Sequence, residues 1–335
     1  MRFPLLIACV TWGLAALPLA AEESALPSRY EWTAGPPLFA AAVSDTDLYY
    51  SIKDPTVVRH NDRWHLFCTV RGKQRSHQIE YLSFADWKDL PGAKRQMLNL
   101  HDGYFCAPQV FYFTPHKKWY MVYQTADKDR RPRMQPAWTT NEDIADARSW
   151  TKPKLLFEAD PKVEAWIDFW VICDAKKAHL FFTSNNGKMW RSETAIERFP
   201  GGFDQPRMVL EGDIFEASHT YKVKDKEEYV TLIEAQGNRG RRYYKAYVAD
   251  ALDGAWKPLA ATRENPFAAI ENVRFTGINW TTSISHGELI RGGIDERLEI
   301  DPKRLQFLYQ GVNDAGRESN PYGQIPWMLG ILELK

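Results

Sequence analysis

Lys53-Asp54-Pro55-Thr56-Val57-Val58, a turn at Asn61-Asp62, then Trp64-His65-Leu66-Phe67: this stretch sets the pattern for the whole chain. A short apolar strand opens on a charged residue, turns on residues that tolerate left-handed backbone, and returns as a richer apolar strand. The unit recurs four times. Ala107-Pro108-Gln109-Val110-Phe111 leads to Trp119-Tyr120-Met121-Val122-Tyr123, and Ile167-Asp168-Phe169-Trp170-Val171 leads to His179-Leu180-Phe181-Phe182. Phe215-Glu216-Ala217-Ser218-His219 leads to Tyr229-Val230-Thr231-Leu232-Ile233, and Ser285-His286-Gly287-Glu288-Leu289 leads to Leu305–Tyr309. Helical periodicity is scarce between them, so the chain reads as all-β. The openings fall at Asp54, Ala107, Asp168, Glu216 and His286. Four-stranded propeller blades recur at about 40–50 residues, with insertions in loops. Five units predict a five-bladed β-propeller.

In that architecture the first strand of each blade runs along a central channel. Equivalent openings then converge, although they are far apart in sequence. Three are carboxylates: Asp54, Asp168 and Glu216. One Asp at a strand start is ordinarily a turn cap, and Asp54 before Pro55 fits that reading. Asp168 and Glu216 are flanked by apolar residues, which predicts burial. Buried carboxylates need partners or a raised pKa, and clustered ones push their pKa values apart. Glycoside hydrolysis uses such a set: one carboxylic acid protonates the leaving oxygen, and one carboxylate activates water or attacks the sugar.

Composition is compatible with this. The 335 residues are 44% hydrophobic, enough for one large core, and include 13 Trp, which suit both cores and sugar stacking. The 43 basic and 43 acidic residues cancel, so nothing in the balance calls for nucleic acid or an anionic membrane. Arg2, the apolar run Phe3–Leu19 and Ala20-Ala21 describe a signal peptide over residues 1–21, leaving 22–335 as one domain. The expected product is a secreted monomer, extracellular or periplasmic. A lipoprotein box at Leu6-Ile7-Ala8-Cys9 is the rival reading, but its apolar segment is too short. Cys68, Cys106 and Cys173 form no CxxC pair, which speaks against zinc and for buried thiols, with one disulfide still open. There is no G-x-S-x-G elbow, H-E-x-x-H, Walker loop or G-x-G-x-x-G.

Several stretches resemble glycoside hydrolase family 62. They include Leu26-Pro27-Ser28-Arg29-Tyr30-Glu31-Trp32, Lys53-Asp54-Pro55-Thr56, Ala107-Pro108-Gln109-Val110-Phe111-Tyr112-Phe113 and Phe199-Pro200-Gly201-Gly202-Phe203. Phe215-Glu216-Ala217, Ile284-Ser285-His286-Gly287-Glu288 and Tyr322-Gly323-Gln324-Ile325-Pro326-Trp327 continue the match in order. The Lys-Asp-Pro-Thr opening alone is shared in style with the propeller glycosidases of family 43. The resemblance implies an inverting α-L-arabinofuranosidase acting on side chains of arabinoxylan or arabinan. It implies Asp54 as general base, Glu216 as general acid and Asp168 as the residue that raises and orients the acid. Lys53 and Tyr322 would contact the arabinose. His286 would sit at the axis beside a structural calcium ion held mostly by water, or be a satisfied core histidine beside Gly287. His219, three residues after Glu216, reads as structural.

Three positions depart from the family pattern. Thr125 follows Tyr123-Gln124 where Trp is usual, Phe169 stands where Gln is usual, and Trp166 replaces Pro. Trp166 and Phe169 flank Asp168 and are expected to face the substrate. The charged run Asp127–Arg133 is expected as a solvated loop that could border the pocket. The alternatives are another exo-glycosidase of the same architecture, releasing xylose or galactofuranose, or a propeller that binds carbohydrate without cleaving it.

Overall fold

A computed structural model describes residues 24–43 and 47–335. The expected signal peptide, with Cys9, lies outside the described residues. Five sheets, antiparallel except for one parallel pairing in each of the last two, follow one another around a ring. The first blade comprises Tyr49–His60, Arg63–Gly72, Gln78–Phe84 and Gln96–Met97. The second comprises Phe105–Phe113, Lys118–Ala126, Met134–Asn141 and Lys154–Leu155. The third comprises Ile167–Cys173, Lys177–Thr183, Lys188–Ala195 and Arg207–Glu211. The fourth comprises Glu216–Val223, Tyr229–Gln236, Arg242–Ala249 and Lys257–Ala260, with Glu299–Ile300 alongside its first strand. The fifth comprises Ser285–Leu289, Gln306–Gly311 and Met328–Leu334, completed by Trp32–Ala34 and Val273–Phe275.

The strand sequences explain the layering. Each blade packs between two neighbours, so its middle strands are buried on both faces and read as continuous apolar runs rather than alternating ones. Lys118–Ala126 is buried from Trp119 through Thr125. The expected turns form as read: Asn61 and Asp62 both have positive φ, 48° and 58°, which a two-residue hairpin needs. Neither end of the described chain is left as a free edge. Trp32 lies opposite Leu334 and Ala34 opposite Leu332, so a strand from the start of the domain closes the last blade. That pairing is invisible to a reading of local pattern.

The five opening strands share one irregularity. In each, one extra residue interrupts the register with the second strand: at Asp54-Pro55, Ala107-Pro108, Asp168-Phe169, Ala217 and His286. These are β-bulges, which re-aim side chains. Asp54, Ala107, Asp168 and Ala217 have φ of 49°, 48°, 55° and 45°, a conformation few non-glycine residues adopt. The repeat expected from sequence is therefore correct in four blades and one residue off in the fourth. Ala217, not Glu216, is the counterpart of Asp54. Glu216 is the counterpart of Lys53, because the bulge begins one position later than the run of apolar residues suggested.

Polar clasps join the blades beneath this ring. The Gln109 amide bonds both the N–H and the C=O of Val171 at 2.7 Å, acting as a strand segment between the second and third blades. Glu288 accepts from Arg291 Nε at 2.8 Å, and Arg291 Nη2 donates to Val57 O at 3.2 Å and Val110 O at 2.9 Å. This buried ion pair ties the fifth blade to the first two. Cys68, Cys106 and Cys173 are free and buried, so the open disulfide is not formed among them. Glu288→Ala strands the Arg291 charge in the core and should cost about 3–5 kcal/mol. Chemical denaturation at pH 7 should show a lower midpoint with unchanged slope.

Candidate active site

The bulges leave five amide N–H groups that the strand ladder cannot satisfy. A side chain from the preceding blade takes each one. Gln310 Oε1 accepts from Asp54 N at 2.8 Å, Thr69 Oγ1 from Ala107 N at 2.8 Å, and Gln124 Oε1 from Asp168 N at 3.4 Å. Glu234 Oε2 accepts from His286 N at 2.9 Å. Four of these acceptors lie opposite the residue just before the bulge of their own blade. In the third blade that place is held by Thr183, whose hydroxyl is buried without a protein partner. There the Asp168 carboxylate itself accepts from Ala217 N, at 3.2 Å.

The three carboxylates do converge. His286 Nδ1 stands 3.5 Å from Asp54 Oδ1 and 3.7 Å from Asp168 Oδ2. Lys53 Nζ lies 3.8 Å from Asp54 Oδ2. Burial alone would push the Asp54 carboxyl up, but Lys53 and His286 outweigh it and hold the group below its usual range. Asp168 goes the other way. Burial, then the charges of Glu216 and Asp54, push it well above the carboxylate range. Glu216 is the most accessible of the three, with its side chain 15% exposed. Its Oε2 accepts from Arg242 Nη1 at 3.1 Å, and its Oε1 accepts from Asn185 Nδ2 at 3.3 Å. Tyr322 is exposed at the rim, its hydroxyl 3.2 Å from Arg242 Nη2. One carboxylate pulled down, one pushed up and one reachable from solvent form a set capable of moving protons to and from a bound ligand.

Other expectations need correction. Trp166 and Phe169 do not face the channel. They are 1% and 2% exposed and pack edge to face on each other, with Phe157 and Phe182 around them. The bulge turns Asp168 toward the axis and its neighbour Phe169 into the core, so no ring face is left for a sugar. His219 is structural, as read: its Nδ1 bonds Gly287 O at 2.7 Å and its ring stacks on Trp170. Calcium prefers six to eight oxygen ligands. His286 offers nitrogen, and among the described residues no group of three or more His, Cys, Asp or Glu side chains is arranged to hold a metal; the expected ion, held mostly by water, would not need such a group.

Several residues at the site carried no sequence signal. Arg242 sits in Arg241-Arg242-Tyr243-Tyr244, which reads as an ordinary edge of a strand. Burial and the charge of Lys53 hold the His77 ring down to about 3, so it is neutral. It packs on Tyr104, whose hydroxyl accepts from Gln124 Nε2 at 2.9 Å. Only Glu234 left a trace, as an acid ending the apolar run Tyr229–Ile233. Beside Gln124, Thr125 borders a recess of about 410 Å³ lined also by His101, Asp127 and Lys128; Lys53, Asp54, Asp168, Glu216 and Tyr322 do not line it.

Known proteins share this arrangement. Alpha-L-arabinofuranosidase C of Cellvibrio japonicus (strain Ueda107) is 36% identical over 318 residues, covering 92% of this chain and 48% of that protein. The chain thus spans about half the length of that curated relative. The catalytic domain of a Coprinopsis cinerea family 62 α-L-arabinofuranosidase superposes with a TM-score of 0.86 at 37% identity, covering 92% of this chain and 98% of that one. A Podospora anserina α-L-arabinofuranosidase crystallised with cellotriose superposes equally well, at 0.86 and 40% identity, covering 93% and 99%. The sequence model of glycosyl hydrolase family 62 matches residues 11–333, and with nearly the whole chain matched, this protein belongs to that family.

Proposed function

We propose that the protein is an exo-acting α-L-arabinofuranosidase that removes arabinofuranosyl side chains from arabinoxylan or arabinan with inversion. The observation that carries this reading is the contrast at the axis: Asp54 is pulled toward its ionised form, Glu216 is the most accessible carboxylate, and Asp168 is raised by burial and then by the charges of Glu216 and Asp54. Glu216 gives its proton to the glycosidic oxygen as the bond to the anomeric carbon breaks. Asp54 takes a proton from water as that water's oxygen bonds to the anomeric carbon. Asp168 orients the site through its bond to the Ala217 amide. Lys53 and Tyr322 are placed to bind the sugar hydroxyls. The family relatives named above, all α-L-arabinofuranosidases, support the choice of sugar. Export belongs to the same proposal, and N-terminal sequencing of protein recovered outside the cytoplasm should begin at Glu22.

Glu216→Gln should lower kcat/KM on arabinoxylan by about 10²–10⁴-fold. It should cost less on an aryl arabinofuranoside, whose leaving group needs no proton. Asp54→Asn should abolish both. An aryl xyloside or galactofuranoside turned over in place of the arabinofuranoside would sink the choice of sugar, and binding without product would sink the catalytic reading.

The pH profile follows from the charges. The base must be ionised, so kcat/KM falls as pH drops through the Asp54 pKa, which lies below the usual carboxylate range. Lys53→Met removes the nearest cation and should move this acidic limb to higher pH. An unmoved limb would show that the limb reports another group.

A further inference from the structure

Glu234 lies on the second strand of the fourth blade, directly opposite Glu216. It is fully buried. Its oxygens are committed to three donors. Oε1 accepts from Arg242 Nη1 at 3.0 Å and Ser285 Oγ at 2.9 Å, and Oε2 accepts from His286 N at 2.9 Å.

Each donor leads to a group given a catalytic role above. Arg242 Nη1 also reaches Glu216 Oε2 at 3.1 Å. Ser285 Oγ accepts from Gln310 Nε2 at 3.1 Å, and Gln310 Oε1 holds the Asp54 amide at 2.8 Å. His286 presents its ring to Asp54 and Asp168. An unbroken hydrogen-bonded path therefore runs from the side chain of Glu216 to the backbone of Asp54, with Glu234 at its centre.

We infer that Glu234 is a positioning residue that sets the placement of Glu216 relative to Asp54. The inference rests on the roles proposed for Glu216 and Asp54. Inversion needs room for a water between acid and base, so their relative placement matters, and a 1 Å error can cost about 10²-fold.

Glu234→Gln keeps the shape and removes the charge. It should lower kcat on arabinoxylan by roughly 10–100-fold with KM nearly unchanged. Ser285 Oγ also accepts from Arg242 Nη1 at 3.3 Å, so Ser285→Ala breaks the arm toward Asp54 and one contact of Arg242 together. It should lower kcat several-fold with KM nearly unchanged. A folded Glu234→Gln protein, shown by a cooperative melt, with wild-type kcat, or with a rise in KM in place of the fall in kcat, overturns the inference. Should Glu234→Gln not fold, wild-type kcat in Ser285→Ala overturns it instead. Asp54→Asn and Glu216→Gln, assayed alongside, separate the two levels: activity surviving in those variants removes the proposed function itself, whereas activity lost there and kept in Glu234→Gln removes only this inference.

Discussion

Five bulged amides around the channel are the constraint on which the site depends. A bulge breaks the ladder and exposes an N–H in a place too buried for bulk water, where an unpaired amide is costly. The chain answers with a side chain from the blade before, five times over: Gln310, Thr69, Gln124, Asp168 and Glu234. Each blade thereby fixes the inner strand of the next. The ring closes because the last blade, itself closed by Trp32–Ala34, supplies the Gln310 that holds Asp54. Left-handed backbone at Asp54, Ala107, Asp168 and Ala217 persists because these bonds and the packing around them over-determine it.

The same ring arranges charge. Asp54, Asp168, Glu216 and Glu234 meet Lys53, Arg242 and His286 in a small, largely buried space. Four carboxylates against two fixed cations cannot all ionise cheaply. The conflict is resolved unevenly: the Lys53 side favours ionised Asp54, and the deeper Asp168 is raised. Uneven resolution lets carboxylates of one residue type differ in charge within one small site, which acid–base chemistry can use.

Much of this was legible in the chain. The turn residues, the paired apolar strands and the fivefold recurrence point to a propeller, and the propeller brings Asp54, Asp168 and Glu216 together. The misreadings share a cause. Glu216 was aligned with Asp54, and Trp166 and Phe169 were turned toward substrate, because a bulge changes which face a residue occupies and leaves no mark in composition. A one-residue slip reverses every side chain beyond it. Arg242 and Gln310 were missed for a different reason: each sits on a strand remote in sequence from the carboxylate it serves.

Local pattern and its repetition determine the strands, the turns, the number of blades and the presence of acids at their openings, because those depend on neighbours a few residues apart. The bulge positions, the strand that closes the ring, the pairing of Arg242 with both Glu216 and Glu234, and the opposite pulls on Asp54 and Asp168 were decided by tertiary structure. They depend on which buried groups meet across blades, and burial and charge act through space rather than along the chain.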